Sequence, residues 1–177
     1  MAGVRRNLFY TILLSLAQLL IPLVSISYVS RVLMPDEMGK VYFMDSFAYF
    51  FTVFAEFGII AYGVRELVKV KNDKDALGQL TSELLFIQLI SSLVSFVFFV
   101  VSVFFLRKSG LEWGLVFPAF IFFLSNFFYT EWYFWGTGQF GYVTLRSILL
   151  RLASLAALWM FVKEREDYQR YYMIMAV

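Results

Sequence analysis

A glycine-rich stretch at residues 136–141, GTGQFG, spells the G-x-G-x-x-G fingerprint of dinucleotide-binding sites. In such sites the stretch follows a β-strand and opens a helix, so that backbone N–H groups meet a pyrophosphate at the helix N-terminus. Here aromatic residues flank it, WYFW before and Tyr142 after, and no strand pattern precedes it. We therefore predict a tight turn between two membrane helices, in which glycine supplies a positive φ and Trp and Tyr lie at headgroup depth.

Cysteine and histidine are both absent from the sequence. Their absence excludes disulfides, thiolate nucleophiles, imidazole bases and zinc sites built on Cys or His, and it leaves carboxylates as the ligands for a hard metal. We therefore expect no enzyme active site and no cofactor. The net charge is only +2, which implies no nucleic-acid partner.

Two carboxylates, Asp45 and Glu56, lie within a long apolar segment and share a helical face with Tyr49 and Thr52. Acidic side chains in a membrane span are costly and usually face the bundle interior or a cavity. We therefore predict that this polar face lines a cavity. Phenylalanines on the opposite face should contact lipid: Phe43, Phe47, Phe50 and Phe54. The first apolar segment has a similar polar face, formed by Asn7, Thr11, Ser15, Gln18, Pro22 and Ser25. Gln18 on this face is a further candidate for the cavity lining.

Two arginines, Arg146 and Arg151, lie in the last complete apolar segment. At about 1.5 Å per residue, Arg146 is about 6 Å from the nearer end and can snorkel to it, whereas Arg151 lies about 13 Å deep, near the midplane. Arg151 could form a salt bridge inside the bundle, with Glu56 as the partner, or it could contact an anion in a central cavity. The two roles are compatible, because a carboxylate can hold the arginine until a ligand replaces it.

The composition is that of a membrane protein, since 61% of the 177 residues are hydrophobic and 16% are charged, against about 45–50% and about 25% in soluble domains. Long apolar segments occupy residues 8–29, 41–64, 80–106, 115–135 and 142–162, and another begins at 171–177. Each complete segment reaches the roughly 20 residues that cross about 30 Å of hydrocarbon. We predict an all-α, polytopic membrane helix bundle with five transmembrane helices and the start of a sixth, at which the chain is truncated.

Orientation follows from the basic residues between the apolar segments. Over the whole chain these residues are evenly divided between the two sides, but the first helices often dominate. With a cytoplasmic N-terminus, the first three segments place six basic residues inside and two outside: Arg5, Arg6, Arg65, Lys69, Lys71 and Lys74 against Arg31 and Lys40. We therefore expect the N-terminus to be cytoplasmic.

Three stretches resemble motifs of bacterial polysaccharide biosynthesis proteins. Residues 27–36, SYVSRVLMPD, with Gly39 are similar to P-Y-V-S-R-V-L-G-P-E-x-x-G, and residues 58–66 are similar to G-I-x-x-Y-G-x-R-E. A W-F-F-Q-G-x-E-x-x-x-Y-x-T-x-R pattern is matched at Trp132, Phe134, Gly136, Tyr142, Thr144 and Arg146. The chain departs from these patterns at Met34, Trp135, Gly138 and Gly141, and the two glycines create the apparent dinucleotide fingerprint. The family is that of the Wzx-type O-antigen flippases, in the multidrug/oligosaccharidyl-lipid/polysaccharide exporter superfamily.

The resemblance implies two lobes of six helices around a central cavity, with this chain forming most of the first lobe. It implies transport of undecaprenyl-diphosphate-linked oligosaccharide across the bacterial inner membrane. Membrane lipids, a polysaccharide polymerase and chain-length machinery would be the other partners. Candidates for binding the diphosphate are Arg31, Arg146 and Arg151, although Arg31 could equally anchor the protein at the membrane surface.

Two other functions remain open on the sequence alone. A cation-coupled drug exporter of the same superfamily would need a carboxylate that binds H⁺ or Na⁺, and Asp45 or Glu56 could serve. A membrane assembly subunit without transport activity would need no such group. The motif at residues 27–36 favours the flippase.

Overall fold

The computed structural model describes residues 2–56, 58–106 and 112–176, with side chains from Asn7 onward. These residues form helices and connecting turns without any β-strand, which confirms the predicted all-α fold. The helices are α1 Ala2–Val32, α2 Met34–Glu56, α3 Ile59–Val70, α4 Lys74–Leu106, α5 Trp113–Phe127, α6 Glu131–Gly136, α7 Phe140–Phe161 and α8 Tyr168–Met175. A single 3₁₀ turn, Arg165–Asp167, precedes α8.

Within the described residues, five segments are long and apolar enough to cross a membrane: Asn7–Val32, Met34–Val70, Lys74–Leu106, Trp113–Gly136 and Phe140–Phe161. Their large apolar side chains are mostly exposed on the outside of the bundle, as expected when the solvent is lipid. The chain is therefore a multi-pass membrane protein.

Glycines in the left-handed region separate two pairs of helices. Gly58 has φ 73° and lies between α2 and α3, and Gly138 has φ 79° and lies between α6 and α7. Residues 136–141 thus form the end of α6, a turn and the start of α7. This geometry confirms the predicted turn, and among the described residues no strand leads into it.

The segment predicted at 115–135 is divided into α5 and α6 by non-helical backbone at residues 128–130. Gln88 of α4 stabilises this break, because its amide nitrogen donates to the carbonyl oxygens of Tyr129 at 2.9 Å and Phe127 at 3.5 Å. The indole nitrogen of Trp132 in turn donates to Gln88 Oε1 at 3.0 Å. Irregular backbone at membrane depth requires such partners, since lipid offers none.

The buried side chains of the described residues form two cores. The main core lies between α2, α4, α5 and α8, around Met44, Ala48, Phe99, Ala119 and Tyr172. Small residues let α2 and α4 approach closely, and hydroxyls of α4 bond to α2 backbone. Ser91 donates to the Ala55 carbonyl at 2.6 Å, and Ser95 donates to the Phe51 carbonyl at 2.5 Å.

A second, smaller core joins α3, α4 and α6 through Ile59, Leu67, Leu84 and Trp132. Glycine makes this contact possible, because a Cβ on Gly136 would lie 2.6 Å from Cβ of Leu67. The α3 and α6 helices therefore pack as one unit, and each follows a break in the helix before it.

Helices α1 and α7 are neighbours that run parallel to each other. The hydroxyl of Tyr28 donates to the Val162 carbonyl at 2.8 Å, and the hydroxyl of Thr144 donates to the Tyr10 carbonyl at 3.3 Å. These contacts tie the two helices together near both ends and leave a space between their middle turns and the α5–α6 break.

Candidate functional site

A cleft of about 700 Å³ lies between α1, the α5–α6 break, α7 and α8. Polar and charged side chains enter it from each of these elements and from α2, whereas Ile21, Pro22 and Ile26 of α1 and Leu150 of α7 supply part of the apolar wall. The polar lining comprises Ser25, Tyr42, Ser125, Asn126, Tyr129, Glu131, Arg146, Ser147, Arg151, Ser154 and Tyr171. A membrane protein rarely places this many polar groups in its spans unless they meet one another or an aqueous cavity.

Arg146 forms a salt bridge across the cleft to the first residue of α6. Its Nη2 lies 2.7 Å from Oε1 of Glu131, whose side chain is 14% exposed. The other carboxylate oxygen accepts a hydrogen bond from the Tyr129 hydroxyl at 2.7 Å, and Ser147 Oγ lies 3.5 Å from Oε1. Arg146 Nε is buried without a hydrogen-bond partner. The guanidinium is therefore held on one side only.

Arg151 lies one and a half turns further along α7, about 17 Å from Phe140 at about 1.5 Å per residue. It is half-buried and lines the cleft. Within the described part of the chain, no carboxylate forms a salt bridge with it. The suggested pair with Glu56 does not form, because Glu56 Oε1 instead accepts from Asn126 Nδ2 at 3.4 Å. Arg151 is thus a cation at mid-span with no counter-charge among these residues.

The polar face predicted on α2 is only partly realised. Thr52 is fully buried, Asp45 and Glu56 are half-buried, and Tyr49 is 57% exposed on the outside. Tyr49 is exposed because α2 turns its small residues Ala48 and Ala55 toward the bundle, where they pack closely. Its place in a cavity stays a prediction. None of these four polar residues lines the cleft, and α2 contributes Tyr42 instead.

The phenylalanine face of α2 agrees with the prediction at three positions and departs from it at one. Phe43, Phe50 and Phe54 are exposed. Phe47 is half-buried and packs against Phe99 of α4, with ring centroids 5.8 Å apart. The buried face of α2 is therefore rotated toward Phe47 from the one that polarity alone indicates.

Gln18 and Arg31 are both exposed and lie outside the cleft. Pro22 and Ser25 represent the polar face of α1 in the lining. Gln18 shares a helical face with Pro22 and Ser25 but lies about one turn nearer the start of α1, and Arg31 points away from that face. Neither residue lines this cleft, so their cavity roles stay predictions. Of the eight candidate residues, the structure brings only Arg146 and Arg151 together.

Several lining residues escaped the sequence analysis, among them Asn126, Tyr129 and Glu131. One signal was available, because Glu131 is an acidic residue inside a segment predicted as a continuous span, where such a charge is costly. An acidic residue also suits the first turn of a helix, which is where the structure places Glu131.

At the end of the bundle where α1 meets α2, an extramembrane network joins three parts of the chain. Lys40 of α2 pairs with Glu112 at 2.8 Å, and Tyr168 of α8 donates to the same carboxylate at 2.5 Å. The hydrogen bond from Lys40 lowers the pKa of Glu112 most, and the one from Tyr168 lowers it further. The network ties the start of α5 and of α8 to α2, and so it fixes two walls of the cleft.

The described residues contain no group of three or more acidic side chains that could hold a metal ion. The chemistry of the cleft is therefore that of two guanidinium groups, one carboxylate, several hydroxyls and amides, and aromatic rings. Such a set binds anions and hydroxyl-rich molecules.

The sequence model of the family described as "Polysaccharide biosynthesis protein" matches residues 4–177. The chain belongs to this family. A relative in Escherichia coli (strain K12), named "Putative O-antigen transporter", is 24% identical over 169 residues. The match covers 93% of this chain and 40% of the relative, so the chain spans less than half of the relative's length. No solved structure matches the chain significantly. The resemblance stated from the sequence motifs is thereby confirmed.

Proposed function

We propose that this member of the polysaccharide biosynthesis family forms part of a flippase for lipid-linked oligosaccharide. The cargo would be an undecaprenyl-diphosphate-linked repeat unit, moved across the bacterial inner membrane by a protein whose N-terminus is cytoplasmic. The observation that carries the proposal is Arg151, a cation at mid-span in a polar cleft without a carboxylate partner among the described residues. The family assignment and the name of the E. coli relative agree with it.

The charge of the cleft supports an anionic cargo. Its lining includes Arg146, Arg151 and Glu131, which together leave one net positive charge. An arginine at the centre of a membrane helix costs at least about 2.5–3.5 kcal/mol on insertion. A diphosphate would offset this cost, because guanidinium groups bind phosphate oxygens in pairs.

The remaining lining suits the other two parts of such a cargo. Hydroxyl and amide groups, including Ser125, Asn126, Ser154 and Tyr171, can exchange hydrogen bonds with sugar hydroxyls. Apolar side chains of α1 and α7, such as Ile26 and Leu150, border the cleft on the side that carries the exposed apolar faces of these helices. A lipid tail can therefore stay in the bilayer while the head group lies among polar residues.

Complementation tests this proposal. The protein, expressed at full length in a strain that lacks its own O-antigen flippase, should restore surface polysaccharide for at least one repeat unit of a test panel. Arg151→Ala should abolish the restoration at unchanged membrane expression. Arg31→Ala is the matched control, because Arg31 is exposed outside the cleft, and this variant should restore polysaccharide normally. Failure of the unmodified protein with every repeat unit, or full restoration by Arg151→Ala, would refute the proposal.

A further inference from the structure

We propose that Glu131 is an internal counter-anion that occupies Arg146 until an anionic group of the cargo replaces it. The inference rests on the proposed function and deepens it, since it names the residue that makes anion binding by the cleft conditional. Glu131 would be a positioning residue: it acts on the cargo only through Arg146.

The contacts of Arg146 show that its guanidinium is only partly engaged. One nitrogen, Nη2, meets Glu131 at 2.7 Å, while Nε is buried without a partner. A guanidinium carries five N–H donors in a fixed fork, and a buried donor without an acceptor costs free energy. A phosphate placed on the fork would satisfy Nε together with a second nitrogen, which the carboxylate does not do here.

The number of charges in the cleft also indicates that Glu131 must leave Arg146 when a diphosphate binds. The two phosphates of a diphosphate diester carry two negative charges, and the cleft offers two guanidinium groups, Arg146 and Arg151. While Glu131 occupies Arg146, only Arg151 is available, and an approaching anion meets the negative charge of Glu131 as well. Full pairing of a diphosphate therefore requires Glu131 to leave Arg146.

Glu131 has an alternative contact that makes this exchange feasible. Its Oε2 already accepts a hydrogen bond from Tyr129 at 2.7 Å, so the carboxylate would keep one donor after it leaves Arg146. Glu131 is also the first residue of α6 and follows the non-helical residues 128–130. A small shift of Glu131 thus breaks no hydrogen bond in the middle of a helix, because the first N–H groups of a helix have no partner within it.

The same salt bridge could instead serve stability alone, by neutralising two charges that folding has buried. The two roles differ in what removal of the negative charge does to ligand affinity. A counter-anion competes with the ligand, so its removal strengthens binding. A purely structural pair does not compete, so its removal weakens binding or leaves it unchanged.

The test measures binding of farnesyl diphosphate to the full-length protein in lipid nanodiscs. If Arg146 is free in about one molecule in ten, Glu131→Gln should lower the apparent Kd about tenfold. Glu56→Gln is the matched control, because Glu56 bonds to Asn126 rather than to an arginine, and its Kd should not change. Glu131→Asp keeps the charge but shortens the side chain, and it should also bind more tightly, which provides a second variant if the first folds poorly.

The result separates the two proposals. Equal or weaker binding by both Glu131 variants, with binding still lost in Arg151→Ala, would overturn the counter-anion and leave the anion-binding cleft intact. Binding that survives in Arg151→Ala, or no binding by any variant, would overturn the cleft as the cargo site, and the counter-anion with it.

A measurement without any ligand gives a second readout. The chain contains no cysteine, so Ser147→Cys introduces a single thiol at a position whose side-chain oxygen lies 3.5 Å from Glu131 Oε1. Adding Glu131→Gln should speed reaction of this thiol with an anionic methanethiosulfonate reagent relative to a neutral one. An unchanged ratio of the two rates would contradict a carboxylate that repels anions from the cleft.

Discussion

At the scale of single residues, substitutions at Arg151 distinguish a residue that contacts the cargo from a charge that only stabilises the fold. Since no carboxylate of the described residues pairs with it, Arg151→Ala should lose transport, and adding Glu56→Ala should not restore it. A hydrogen bond between charged groups is worth about 1.5–3 kcal/mol, so transport should fall about 10- to 100-fold. Arg151→Lys should retain part of the activity, because the charge survives while the paired geometry is lost. Restoration by the double variant, measured as surface polysaccharide, would show that Glu56 is the true partner.

Single residues were predictable where their type conflicted with their surroundings. Arg146 and Arg151 stand out because a charge in an apolar segment needs an explanation. The exposure of Tyr49 could not be predicted, because angular position on a helix gives a face but does not say which face packs. Small residues at positions 48 and 55 decided that packing. The Arg146–Glu131 pair joins residues 15 apart across a turn, and helical spacing on one element could not reveal it.

At the scale of elements, the break that divides the fourth membrane segment into α5 and α6 depends on Gln88. Gln88→Leu would leave two backbone carbonyls and the Trp132 indole without their partner. Each unsatisfied buried group costs about 1–3 kcal/mol, so the melting temperature should fall by several degrees. Gln18→Leu is the matched control on an exposed position of α1 and should leave it unchanged. Equal melting temperatures for Gln88→Leu and the unmodified protein would show that the break at residues 128–130 is stable without Gln88.

Glycine substitutions test the close contact between α3 and α6. Gly136→Ala would bring Cβ to within 2.6 Å of Leu67 Cβ, and such overpacking typically costs about 1–3 kcal/mol. Gly78→Ala in α4 meets no atom within 4 Å, and alanine favours a helix by up to about 1 kcal/mol over glycine. Thermal unfolding should therefore show opposite signs for the two variants. A stabilised Gly136→Ala protein would contradict the close packing of α6 on α3.

The membrane helices were predictable because length and apolar composition alone fix them. The break between α5 and α6 was not, because residues 128–130, FYT, contain neither proline nor glycine. Its cause lies in another helix, since the amide of Gln88 replaces the lost helical hydrogen bonds from about 40 positions away. A contact of that range leaves no periodic pattern in the sequence.

Topology is the property of the whole molecule that follows from the helix order. With a cytoplasmic N-terminus, Asn72 and Gln139 lie in cytoplasmic turns and Glu166 lies in a periplasmic one, and all three side chains are exposed. The natural chain has no cysteine, so single cysteines at these positions can be labelled without background. A membrane-impermeant thiol reagent added to intact spheroplasts should label the Glu166→Cys protein and spare the other two. The reverse pattern would invert the orientation.

The central claim is that the cleft carries the diphosphate of a lipid-linked oligosaccharide across the membrane. The most direct measurement is translocation in proteoliposomes that contain the full-length protein and a polyprenyl-diphosphate-linked oligosaccharide. The same oligosaccharide on a neutral glycolipid serves as the control cargo. We expect the diphosphate-linked cargo to cross at least about tenfold faster than in protein-free vesicles, a difference of about 1.4 kcal/mol in the barrier. The control cargo should cross no faster than in protein-free vesicles. Equal translocation of the two cargoes, or no translocation of the diphosphate-linked one, would contradict the account.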